Sequence, residues 1–216
     1  CIVLTGPPRG GAWVGTREYT LGTIPLLALG VEAVRTAAGP QHFPEAEPFL
    51  RDAARVQIAN VTADLRHALQ WGDNEHPRGF RDRLFRRRTL LGTLAGAIPG
   101  TEEAGRLLDL SRELAQRYGE QGFGSAEAWP RMYLLFDPRA PALPWHRAGE
   151  TWHAAGMGMA WVRLDQDLFW MAMTPWLGVD HEVQYLTDFQ LYRQGECALT
   201  RPLGYTGPAV EVESAN

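Results

Sequence analysis

The chain has 216 residues, 45% of them hydrophobic and 21% charged, and a net charge of −4. That is apolar material for one sizeable core or two small ones, and the acidic balance excludes a global basic field suited to nucleic acid. All 21 basic residues are arginine, which excludes a lysine-based mechanism, and two cysteines make no disulfide framework. Neither a signal peptide nor a membrane span is expected. The chain begins at Cys1 and stops at Asn216, and it reads as an internal piece of a longer protein.

Cys1 to Gly15 reads as a short extended piece followed by a flexible Gly-Pro-Pro-Arg-Gly-Gly loop. Leu21–Ala38 is densely apolar with Pro25 near its start, a pattern for a buried helix that Gly39-Pro40 ends. A second helix is expected over Glu47–Leu69, where Phe49, Leu50, Ala53, Ala54, Ile58, Val61, Leu65, Ala68 and Leu69 recur at helical spacing. Trp71-Gly72-Asp73-Asn74-Glu75-His76-Pro77 follows as a polar loop. Phe80–Ala97 and Thr101–Tyr118 read as two more helices joined by Ile98-Pro99-Gly100. Thr101 caps the latter, with Glu102 and Glu103 near its positive end. Ala126–Phe136 reads as one more helical segment.

Asp137–Trp145 is proline-rich and reads as a linker. Beyond it the periodicity becomes strand-like over Thr151–His153, Ala160–Leu164 and Leu168–Met173. Asp188–Arg193 alternates polar and apolar residues, as a strand with one wet face should. Gln194-Gly195 turns the chain and Glu196–Thr200 returns, with Cys197 as a buried small hydrophobe. Gly178-Val179-Asp180-His181 sets a histidine and a carboxylate beside this hairpin. The expected fold class is α+β. A helical part over 1–136 is followed by a linker over 137–149 and an antiparallel β part over 150–216.

Gly178-x-x-His181, then Phe189-x-Leu191-Tyr192-Arg193-x-Gly195-Glu196, a short strand and Gly204-Tyr205 resemble the first sandwich strands of heparinase II/III-like polysaccharide lyases. Asn216 resembles the middle residue of that family's His-Asn-Thr signature. The resemblance implies the end of an incomplete α/α toroid followed by the start of a β-sandwich. It also implies β-elimination on an acidic, uronic-acid polysaccharide, and a periplasmic or secreted protein. Two alternatives stay open: a catalytically eroded relative that binds carbohydrate or serves structurally, and a glycoside hydrolase on an α/α toroid, which would need two carboxylates flanking the bond.

Elimination needs a base beside the carboxylate, a group that neutralises it and an acid for the leaving oxygen. Trp13-Val14-Gly15-Thr16-Arg17-Glu18-Tyr19 resembles the family segment that opens the groove-lining helix, so Tyr19 is a catalytic candidate and Trp13 a substrate contact. The alternative for Tyr19 is simple packing at a helix start. In the Trp71–His76 loop, Trp71 is a stacking candidate and Asp73 a partner for sugar hydroxyls. Asn74 and His76 are candidates for neutralising the carboxylate. An interhelical turn capped by Asp73 and Asn74 is the plainer alternative.

Arg81 leads an arginine run with Arg83, Arg86, Arg87 and Arg88, suited to holding carboxylates or simply a solvated helix face. His181 matches the first histidine of the family's sandwich motif. The family's further metal ligands are replaced here by Val183 and Tyr185, and its terminal histidine by Ala215, so neither zinc nor another cofactor is expected.

Overall fold

The computed structural model describes residues 9–12, 17–69, 71, 84–119, 140–174 and 185–199. Among these, four helices precede a five-stranded antiparallel sheet, so the architecture is α+β. The helices are α1 (Arg17–Ala38), α2 (Ala46–Ala59), α3 (Leu84–Ala97) and α4 (Glu102–Tyr118). The strands are β1 (Glu150–Ala154), β2 (Met159–Leu164), β3 (Asp167–Thr174), β4 (Tyr185–Arg193) and β5 (Glu196–Leu199). The segment Ala126–Phe136 lies outside the described residues.

α3 lies between α1 and α4, and α2 reaches from α4 to the first two strands. α1 is not a fully buried helix. Leu21, Ile24, Ala28 and Val31 enter the helical core, whereas Leu26 is 55% exposed. By length and hydropathy alone Thr20–Ala38 would suit a bilayer span, but one side of it is committed to packing.

The second helix stops at Ala59 rather than Leu69. Asn60 ends it because its side-chain amide donates to the Leu69 carbonyl at 3.0 Å, while the Leu69 N–H returns to Asn60 O at 3.1 Å. Thr62 adds a hydroxyl bond to Asp64 at 2.7 Å, a local competitor to helical pairing. Leu65 takes φ 60°, and Val61 bridges Ala68. The apolar residues that keep helical spacing past Ala59 are thus buried by a closed turn.

Thr101 caps α4 as expected, its hydroxyl accepting from the Ala104 N–H at 3.2 Å. The described part of the proline-rich stretch is neither helix nor strand and is bonded along α4. Leu143 N–H donates to Gly105 O at 3.1 Å, and Trp145 N–H to Asp109 at 3.0 Å. Trp145 is buried in the helical core, its indole N–H on Glu113 at 2.8 Å.

The sheet is a meander in sequence order. Gln194 and Gly195, at φ 50° and 80°, form the tight β4–β5 turn, the backbone signs of a type I′ hairpin. The register aligns Trp152, Trp161, Trp170 and Gln190 across four strands. Trp161 and Trp170 fill the core under the sheet with Met159, Leu168 and Ala172.

The alternation in β4 is present, but its phase is opposite to the simple expectation. Asp188 and Gln190 are buried, at 3% and 0% exposure, and Phe189 is 41% exposed. Pairing with inward Trp170 and Ala172 fixes which side of β4 faces the core, and register overrides polarity there. The outer face is consequently apolar, with Phe169 against Phe189 at 6.4 Å and Met173 and Leu199 open to solvent. Cys197 is exposed on the edge strand rather than buried.

The two halves are joined through α2. Arg163 of β2 donates from one Nη to the Ile58, Ala59 and Val61 carbonyls at 2.9, 3.3 and 2.7 Å. Trp161 Nε1 donates to Asn60 Oδ1 at 3.2 Å. Gly10 and Gly11, both at positive φ, wedge between the halves where a flexible loop was expected. A Cβ on Gly10 would overlap the Ala154 backbone, and one on Gly11 the backbone of Asp52 and Ala53. Trp152 Nε1 ties to Gly10 O at 3.0 Å.

Candidate functional site at the helix–sheet seam

Where α2, the start of α4 and the first two strands meet, the protein encloses a cavity of about 250 Å³. Its charged lining comes from four elements. Arg51 and Arg55 stand one turn apart on α2. Glu102, Glu103 and Arg106 occupy the first turns of α4, and Glu150 and Arg163 come from β1 and β2. Trp152 and Trp161 supply indole surface.

Glu103 is 5% exposed and holds both α2 arginines. Arg51 reaches it through two nitrogens at 3.1 and 3.3 Å, and Arg55 through one at 2.6 Å. Arg55 also pairs with Asp52 at 3.0 Å and lies over the Trp152 ring at 5.0 Å. Arg106 donates to Trp145 O at 2.6 Å and to Glu150 at 2.6 Å, which clamps α4 to β1. Glu102 is engaged by Arg147 at 2.6 Å.

Burial alone would raise the Glu103 carboxyl. The Arg51 hydrogen bond, a backbone donor and the charges of Arg55 and Arg51 outweigh it and hold the group below the ordinary glutamate value. Its ionised form therefore stabilises the fold. That contribution is complete above the unfolded value of about 4.3 and is lost as pH falls through the lower folded value. Thermal melts of Glu103→Gln should start less stable near neutral pH and decline less steeply below about pH 4.3. A decline as steep as the wild type would remove Glu103 from the acid response. Asp64 titrates in the same sense: burial raises it, but Thr62 and Arg66 together lower it further. Some acid sensitivity should therefore survive.

Arg163 differs from the other cavity arginines. It is 2% exposed, it lies 5.1 Å from the Trp145 ring centre, and burial lowers its pKa to about 10. It is still a cation at neutral pH. The cavity thus presents guanidinium donors beside indole faces, a combination that holds anionic groups carried on apolar rings.

The sequence-derived candidates fall elsewhere. Trp13, Asp73, Asn74, His76, Arg81 and His181 lie outside the described residues. Tyr19 is placed by its backbone in the first turn of α1. Trp71 is fully buried and packs edge-on against Trp161 at 6.4 Å between centroids. A ring with no open face offers no stacking platform, so Trp71 is core. The arginine run is split rather than one wet face: Arg86 is exposed, while Arg87 and Arg88 are buried. Among the described residues, no three His, Cys, Asp or Glu side chains are grouped to hold a metal.

Sequence reasoning missed the seam. Arg51 and Arg55 on α2 are separated by four residues, and Arg163 sits in phase with inward Met159 and Trp161. A charge in the buried phase of a strand was the available signal. No protein-family model matches the chain, and no curated protein matches it significantly.

Proposed function

We propose that the protein acts on an acidic, uronic-acid polysaccharide by β-elimination. In this reading the helices belong to an incomplete α/α toroid and the sheet to a β-sandwich, as in heparinase II/III-like lyases. The observation that carries it is the seam cavity, where four arginines and two tryptophans meet between helices and sheet. The apolar outer face of the sheet supports the sandwich, since a second layer would bury it.

In the reaction a base removes the proton beside the uronate carboxyl. Charge developing on that carboxyl is neutralised, the bond to the leaving oxygen breaks, and an acid protonates that oxygen. Tyr19 is assigned the acid or base role, and Asn74 and His76 the neutralising role. Trp13, Asp73, Arg81 and His181 are assigned to substrate.

One observation favours a binding role as the second reading. Each glutamate lining the seam is engaged by arginine, so the seam itself offers no uncommitted carboxylate base. Both readings are separated by following ultraviolet absorbance of the unsaturated uronate product on heparan sulfate, hyaluronan, chondroitin and alginate. Product formation that Tyr19→Phe abolishes and EDTA leaves intact is the expected result. Bound glycan with no product on any substrate would replace the lyase by a binding module.

A further inference from the structure

The charges around the seam cavity do not balance. Among the residues that line it, Arg51, Arg55, Arg106 and Arg163 face Glu102, Glu103 and Glu150, four cations against three carboxylates. The first three arginines each have a carboxylate at 2.6–3.1 Å. Arg163 bonds only carbonyl oxygens and lies on the face of Trp145, and the Glu150 charge that acts on it is already bonded to Arg106. The Arg163 Nε and Nη1 are buried without a hydrogen-bond acceptor. A buried cation with no carboxylate of its own is costly to desolvate, and donors left unmet add to that. Packing alone would be served by methionine at this position, as it is at inward Met159.

We propose that the seam cavity is a socket for one monovalent oxyanion, a carboxylate or a sulfate ester carried on a single sugar-sized group, with Arg163 as the residue that sets the charge. The surplus of one among the lining residues matches a single negative charge. Size fixes the rest: about 250 Å³ is smaller than the roughly 300–1,000 Å³ of sites for drug-sized ligands, so it takes one ring and not an oligosaccharide. Trp152, Trp161 and Leu168 give that ring apolar wall, while Arg51 and Arg55, about one-third exposed, stand on the wet side. The sugar-like character rests on the acidic-glycan reading above. The preference for an anion does not depend on it.

Calorimetric titration of the whole chain with D-glucuronate, glucose 6-sulfate and glucose tests the socket, with tryptophan fluorescence as the second readout. At least one of the two anions should bind about tenfold or more tightly than glucose, a difference of about 1.4 kcal/mol. The stronger anion identifies which oxyanion is read. Arg163→Met should erase the preference, and Arg163→Lys should keep part of it through the retained charge. Equal binding of all three sugars to the wild type overturns the proposal, whether or not the Met variant folds. An unchanged preference in a folded Arg163→Met overturns it too. Retained anion preference without any elimination product would sink the lyase reading and leave the socket. Elimination without anion preference would do the reverse.

Discussion

Trp161→Ala should cost about 3–5 kcal/mol of folding free energy, as large-to-small changes at buried aromatic sites do. Trp161 is 1% exposed and lies between Trp152 and Trp170 in the register of the sheet. Its indole packs edge-on against Trp71, and its N–H reaches Asn60 at the turn that ends α2. The change therefore opens a void in the core and leaves the Asn60 oxygen without that donor. Against a typical stability of roughly 5–15 kcal/mol, the variant sits near the edge of folding. Trp161→Phe separates the two effects, since it keeps most of the ring and loses the N–H donor; about 1 kcal/mol is expected. Denaturant melts with unchanged slope give both values. A loss of under about 1 kcal/mol for the alanine variant would mean that Trp161 is not part of a close-packed core.

Arg106→Met should cost roughly 2–3 kcal/mol, less than the loss of a fully buried pair, because Glu150 keeps about one-third of its side chain in solvent. The guanidinium serves two partners from one position on α4. It satisfies the carbonyl of Trp145, which anchors the proline-rich segment, and the carboxylate of Glu150, which opens β1. Methionine fills similar volume, so the loss reports polar contacts rather than a void. Glu150→Gln tests the assignment. The double variant should lose less than the sum of the singles, with a coupling of about 1–2 kcal/mol. Strict additivity would mean that the two side chains do not interact.

The residues that announced the fold are those whose local chemistry and tertiary role agree. Thr101 with Glu102 and Glu103 marks the start of α4, and Gln194-Gly195 the turn of the β4–β5 hairpin, because caps and tight turns are decided within a few residues. Where the reading failed, the deciding partner was distant or competed locally. The apolar spacing past Ala59 continued a helix on paper, but the Asn60 side chain found the Leu69 backbone instead. The polarity of Asp188 and Gln190 pointed outward, yet pairing with Trp170 and Ala172 turned them in. The seam site was least legible, since its charges come from α2, α4, β1 and β2. No window of sequence contains them together.

The meander also has a kinetic consequence. Each strand pairs with its neighbour in sequence, through connections of four, two, ten and two residues, and hairpins form in microseconds. The Arg163 bonds to Ile58 and Val61 instead join residues 105 and 102 apart. Contacts of such separation order a long chain before they return any stabilisation, which slows folding. The sheet is therefore suited to assemble first and α2 to dock onto it afterwards, which makes the Arg163 anchor the late step. Asn60 and Arg163 variants should change mainly the unfolding rate, read on the unfolding limb of the chevron, whereas β-hairpin variants should carry the larger effect on the refolding limb.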